Sequence, residues 1–210
     1  MSLKLKICGM RDNIGEISLL EPDYLGFIFY EPSPRYVGEL SFDFQTSASR
    51  VGVFVNASAE GVIQTVKENH LDMVQLHGDE SPDFCARIRE NDIPLIKVFR
   101  VDEGFDFGQV SDYREVSDYY LFDTRTKLYG GSGKRFNWSV LEKYDQSKPF
   151  FLSGGLDLQS LDDLGSLKDM NLHALDFNSG VEKSPGLKDG ELIEKIIDKL
   201  KTVNYEVFGG

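Results

Sequence analysis

Cysteine, histidine and positive charge are all scarce in this 210-residue chain, and each shortage closes off a class of protein. Two cysteines, Cys8 and Cys85, are too few for a disulfide framework and carry no metal-ligand spacing, so a reduced, cytoplasmic protein is expected. Lys and Arg number 23 against 35 Asp and Glu, a net charge of −12. That balance argues against nucleic acid or an anionic membrane as the main partner. An anionic ligand stays admissible wherever a site supplies local donors. No apolar signal region opens the sequence, and no stretch approaches the length of a membrane span. Low-complexity tracts and Pro/Gly/Ser-rich linkers are also missing, so one domain over residues 1–210 is expected, with only the tail from Thr202 loosely attached.

What is present is one unit, repeated. Short apolar or alternating runs occur at Leu3 to Cys8, Tyr24 to Phe29, Arg50 to Val55 and Met73 to His77. They recur at Leu95 to Val101, Tyr119 to Thr124, Phe150 to Gly154 and Ala174 to Ser179. Their starts lie about 24 residues apart, room for a strand, a short helix and two tight loops. Ser81-Pro82 reads as an N-cap followed by proline at the first helical position, with Phe84, Cys85 and Ile88 on one face. Val62, Ile63 and Val66 make a similar stripe, and Leu192, Ile193, Ile196, Ile197 and Leu200 form the strongest amphipathic pattern. Phe105 to Tyr113 holds Gly108 and Val110 without a clean helical period, so the fifth helix is expected to be degenerate. Eight such units predict an α/β fold, a single parallel eight-stranded (β/α)8 TIM barrel. An open doubly wound sheet is the structural alternative.

Active sites of such barrels lie at the C-terminal ends of the strands. Leu3, Leu5 and Ile7 share one face of the first strand and Lys4, Lys6 and Cys8 the other, before Gly9 ends it. A thiol is thus delivered to the barrel mouth beside two lysines that favour its thiolate, although a small buried core residue is the other reading. Cys85, on an apolar helical stripe, reads as core. Asp123 follows Tyr119 and Leu121 on one face of the sixth strand, opposite Tyr120 and Phe122. Its place at a strand end suits a cap or turn, a job its neighbour Thr124 can also do. A carboxyl in a partly dry mouth instead has a raised pKa and suits proton donation.

Lys6 and Lys97 lie mid-strand, and if they point inward they need carboxylates such as Asp123 or Asp176. His77 is either a ligand-facing donor or a satisfied polar residue, and His70 and His173 read as structural or surface residues. Gly130-Gly131-Ser132-Gly133-Lys134 is not a P-loop, because Leu128 and Arg135 stand where glycine and Ser/Thr are required. A substrate lid and a flexible connector both fit it. Gly154-Gly155 and Ser179-Gly180 follow the seventh and eighth strands, where barrels of this kind bind phosphate.

Taken in order, these fragments resemble the phosphoribosylanthranilate isomerase family. The resemblance runs from Lys6-Ile7-Cys8-Gly9 through Gly26-Phe27-Ile28-Phe29, Ser33-Pro34-Arg35-Tyr36-Val37 and Val51-Gly52-Val53-Phe54-Val55. It continues through Val74-Gln75-Leu76-His77-Gly78, Asp123, the Gly130 loop with Phe136-Asn137-Trp138, and Ser153-Gly154-Gly155-Leu156. Asp176 to Glu182 and Pro185 to Asp189 complete it. The resemblance implies an Amadori rearrangement of a small phosphosugar substrate, needing neither metal nor cofactor, in tryptophan biosynthesis. It implies Asp123 as the acid that protonates the ribose ring oxygen and Cys8 as the base that removes the C2′ proton. Arg35 is then the partner of the anthranilate carboxylate, and Gly154, Gly155, Ser179 and Gly180 hold the phosphate. His77 and Asp176 complete the expected substrate contacts. Met10 and Phe177-Asn178 depart from the family pattern. Neither departure removes a named catalytic group, so activity is expected to survive, with altered packing around the thiol or the phosphate loop.

Three other readings compete with this one. A metal-dependent phosphosugar epimerase would require His and Asp ligands on several strands, and three scattered histidines do not supply them. A histidine-pathway isomerase would place an aspartate where Cys8 stands. A non-catalytic phosphate-binding barrel leaves the pairing of acid and base unexplained. Whether the chain is a monomer or a homodimer is not decided by its sequence.

Overall fold

Each of the eight runs forms a short strand in the computed structural model, which describes residues 2–38, 40, 45–124 and 138–209. They are β1 (Lys4–Cys8), β2 (Tyr24–Ile28), β3 (Ser49–Phe54), β4 (Met73–Leu76), β5 (Leu95–Val101), β6 (Tyr119–Thr124), β7 (Phe150–Ser153) and β8 (Leu172–Phe177). All pair in parallel and in chain order. β1 closes the ring by pairing with β8, so that Lys6 stands beside Tyr24 on one side and Asp176 on the other. That last pairing excludes the open sheet and leaves the barrel without an edge.

Alternation decides which way each strand residue faces. Tyr24, Val51, Met73, Ile96, Val98, Leu121, Phe151 and Ala174 fill the N-terminal half of the barrel interior. Leu5, Ile7, Phe27, Leu76, Tyr120, Phe122 and Phe177 face outward and pack against the surrounding segments. Those segments include α1 (Ile14–Ser18), α2 (Ala59–Glu68), α3 (Pro82–Arg89) and α4 (Gly190–Val207). The Ser58 and Ser81 hydroxyls accept from the Gly61 and Phe84 amides, capping α2 and α3.

The degenerate fifth helix is a 3₁₀ segment, Phe107–Tyr113, and the later connections thin in the same way, to 3₁₀ segments at Trp138–Lys143 and Leu158–Leu167. After β8 a hairpin of β9 (Glu182–Ser184) and β10 (Leu187–Lys188) intervenes before α4. The tail is better anchored than expected. α4 runs on to Val207, and the Asn204 side chain both accepts from Leu3 N–H at 2.7 Å and donates to Leu3 C=O at 3.1 Å. No helix among the described residues is long and apolar enough to cross a membrane.

His173 has a partner that its sequence neighbours did not reveal. It sits among Tyr24, Tyr119 and Phe151, with Tyr24 Oη 2.8 Å from Nε2. Burial, helped by Lys4, pulls its pKa from 6.5 down to about 4. Between those values the unfolded chain binds a proton that the folded protein refuses. Stability is therefore full above about pH 6.5 and falls as pH drops towards 4, by about 2 kcal/mol once partial exposure is allowed for. Urea unfolding near pH 7 and near pH 5 should show this slope, and His173→Gln should flatten it.

Candidate active site

Towards the C-terminal ends of the strands the barrel interior turns from apolar to polar. Lys6, Gln75 and Asp176 project inward from β1, β4 and β8, all three buried. Lys6 Nζ donates to Asp176 Oδ2 at 2.9 Å and to Gln75 Oε1 at 2.7 Å. Burial opposes the Lys6 ammonium, but Asp176 and Cys8 outweigh it and the net shift is upward. Asp176 is moved up by burial in spite of Lys6, and its Oδ1 has no hydrogen-bond partner among the described residues. One oxygen of this carboxyl is served by the protein and the other is left over.

Cys8 lies next along the same face of β1, packed with Ile28 and Val53 and only 4% exposed. Gly26 makes room for it, since a Cβ there would lie 2.8 Å from Cys8 Sγ. Burial pushes the thiol up, and Lys6 and Lys188 pull it back only in part. The expected assistance from Lys4 is not found. Its ammonium lies over the Tyr24 ring, 5.5 Å from the centroid, in the N-terminal half of the barrel, and Lys188 takes the place assigned to it.

Lys97 points the other way. Ile96 and Val98 take the interior positions of β5, so Lys97 faces outward and pairs with Glu80 at 2.7 Å rather than with Asp123 or Asp176. Both side chains are buried, 3% and 2% exposed. Glu80 also accepts from the Asn56 and Gly78 amides while Lys97 donates to the Gly78 carbonyl, so this pair fixes the chain just past His77. Cys85 lies in the same outer layer as a fully buried free thiol, pushed up to about 11 by burial.

A cavity of about 290 Å³ opens at this end of the barrel. Eight of the nine residues singled out from sequence line it: Arg35, His77, Asp123, Gly154, Gly155, Asp176, Ser179 and Gly180. The ninth, Cys8, is not in its lining. Ser153, Leu156 and Asn178 line it as well. Asp123, 5% exposed, stands with Oδ2 3.6 Å from His77 Nε2. Arg100, on the inward-facing parity of β5, donates to the His77 carbonyl at 3.3 Å.

The two glycine turns are needed first for packing. Gly154 has φ +105°, and a Cβ there would fall 1.9 Å from the Thr124 carbonyl oxygen. A Cβ on Gly180 would fall 2.0 Å from that of Leu156. The loops after β7 and β8 therefore press on β6 and on each other, which brings backbone rather than side chain to the rim. Ser179–Val181 is a single 3₁₀ turn.

Arg35 is already engaged. Its Nε lies 2.9 and 3.0 Å from the Glu182 carboxylate oxygens and its Nη2 2.7 Å from Oε2. Lys188, its side chain fully buried, donates to Glu182 Oε1 at 2.7 Å and to Asn178 Oδ1 at 3.1 Å. Two cations against one carboxylate leave this cluster with one net positive charge. Glu182 and Lys188 were absent from the residues singled out, although both fall inside the segments that carry the family resemblance. Met10 is fully buried in the outer core. The Gly130 to Lys134 loop and Phe136-Asn137 lie outside the described residues.

A closed parallel barrel whose polar cavity sits at the C-terminal ends of its strands is the architecture of a (β/α)8-barrel enzyme. Residues 5–199 match the family model described as N-(5′-phosphoribosyl)anthranilate (PRA) isomerase. The chain is 42% identical to the N-(5′-phosphoribosyl)anthranilate isomerase of Parabacteroides distasonis, over 97% of this chain and 92% of that one. It is 40% identical to that of Thermotoga neapolitana, over 95% and 98%. The crystal structure of phosphoribosyl anthranilate isomerase from Thermotoga maritima superposes with a TM-score of 0.83 at 35% identity, over 95% of this chain and 99% of that one. A crystal structure of the isomerase in complex with reduced 1-(o-carboxyphenylamino)-1-deoxyribulose 5-phosphate gives 0.79 at 31% identity, over 95% and 99%. The chain belongs to the N-(5′-phosphoribosyl)anthranilate isomerase family and is an isomerase.

Proposed function

We propose that the protein converts N-(5′-phosphoribosyl)anthranilate to 1-(2-carboxyphenylamino)-1-deoxyribulose 5-phosphate in tryptophan biosynthesis, with Asp123 as general acid and Cys8 as general base. The observation that carries this reading is the placing of both groups at the mouth ends of β6 and β1, with the glycine turns after β7 and β8 between them. Asp123 gives a proton to the ribose ring oxygen. The C1′–O bond breaks as the anthranilate nitrogen lone pair forms a C1′=N bond. Cys8, as thiolate, takes the C2′ proton, and that electron pair becomes the C1′=C2′ bond of an enolamine while the C1′=N pair returns to nitrogen. Transfer of the C2′ hydroxyl proton to C1′ yields the ketone. C2′ is oxidised and C1′ reduced within one molecule, so atoms and electrons balance.

The net positive charge of Arg35, Glu182 and Lys188 suits the anthranilate carboxylate, with Arg35 shared between that group and Glu182. Backbone amides of Gly154, Gly155, Ser179 and Gly180 suit the phosphate. The unserved Asp176 Oδ1 suits a ribose hydroxyl as acceptor. The test is the loss of anthranilate fluorescence when purified protein meets freshly made phosphoribosylanthranilate. Rapid loss is expected, and folded protein that gives none would sink this reading.

A further inference from the structure

The chemistry of Lys6 dictates more than its own ion pair. An ammonium only donates, so the Gln75 atom it meets at 2.7 Å is the carbonyl oxygen. The Gln75 amide nitrogen, itself only a donor, is thereby turned to the other side, 3.0 Å from His77 Nδ1. Nδ1 must then accept. A neutral imidazole whose Nδ1 accepts carries its proton on Nε2, and Nε2 is the nitrogen facing Asp123 Oδ2. The backbone holds the ring in place. His77 N–H donates to the Phe54 carbonyl at 2.8 Å, and the Glu80–Lys97 pair grips Gly78 at both its amide and its carbonyl.

We infer that Gln75 is a positioning residue that sets the Nε2–H tautomer of His77 and, through it, decides which oxygen of Asp123 carries the transferable proton. The inference rests on the acid role proposed for Asp123. With Nε2–H directed at Oδ2, that oxygen accepts, and the proton destined for the ribose ring oxygen sits on Oδ1. The opposite tautomer sets a nitrogen lone pair against Oδ2 and draws the acid's proton there instead. The 3.6 Å separation is longer than a hydrogen bond, and the inference requires it to shorten to one when substrate binds.

Nitrogen-15 NMR of the imidazole rings of the intact protein reads the tautomer without substrate, with only three histidines to separate. At a pH where the ring is neutral, wild-type His77 is expected as the Nε2–H form. Gln75→Glu presents an acceptor to both Lys6 and Nδ1. It is expected to turn His77 to Nδ1–H and to lower kcat by roughly 10- to 100-fold with KM nearly unchanged. In a His77→Gln background, which has no tautomer to set, Gln75→Glu should cost little more. Wild-type His77 in the Nδ1–H form would overturn the inference, as would a Gln75→Glu loss that adds in full to that of His77→Gln. Wild-type protein that holds Nε2–H yet turns over no phosphoribosylanthranilate would defeat the acid role instead, leaving the tautomer assignment standing.

Discussion

Cys8→Ala and Asp123→Asn should each lower kcat for phosphoribosylanthranilate by about 10²- to 10⁴-fold, the range supplied by one positioned acid or base. That range corresponds to about 3–5 kcal/mol of lost transition-state stabilisation in each variant. Asp123→Asn keeps the shape of the side chain and Cys8→Ala removes a single heavy atom, the sulfur, so binding should survive better than turnover. Fluorescence assays with a fit of kcat and KM separate the two. Because burial holds the Cys8 thiol above its ordinary value, the thiolate forms only towards alkaline pH in the free protein. kcat/KM should accordingly climb with pH through a limb displaced above the ordinary thiol range. Turnover that survives either substitution would keep the function and refute that assignment.

Lys6→Met is the substitution expected to cost the fold most, roughly 3–5 kcal/mol, because it strands a buried carboxylate. Asp176 is 4% exposed and has one unserved oxygen already, so without Lys6 neither oxygen keeps its charge partner. The pH dependence has a definite sign. Burial already raises the Asp176 pKa in the fold, and losing Lys6 raises it further. The folded variant then binds a proton more readily than the unfolded chain, so its deficit against wild type narrows as pH falls. Urea unfolding across mildly acidic and neutral pH measures this. Lys6→Met combined with Asp176→Leu should recover much of the stability and none of the activity. A single Lys6→Met variant within about 1 kcal/mol of wild type would mean that water reaches Asp176. Lys6 also opposes burial at Cys8, so whatever activity the single variant keeps should need higher pH than wild type.

How far the site was legible in the sequence depends on the range of the interaction involved. Cys8 and Asp123 could be assigned to inward faces because a strand alternates with period two, and the outward packing of Leu5, Ile7, Tyr120 and Phe122 agrees. Lys97 shows the limit of the same rule. Its parity was legible, but which parity faced inward on β5 was not, since Lys97 and its neighbours supply apolar groups to both sides. Ile96 and Val98 settle it by filling the lower barrel.

Local patterns determined the strands, the cap at Ser81, the weak fifth connection and the glycine turns, because each depends on residues a few positions apart. The partners of the charged groups were decided by the tertiary structure alone. Lys6 meets Asp176 across 170 positions, Arg35 meets Glu182 across 147, and Gln75 meets Lys6 across 69. A sequence shows that a buried charge needs a counter-ion. For Lys6, only closure of β1 against β8, which folds the two ends of the chain into one wall, determines which counter-ion it meets.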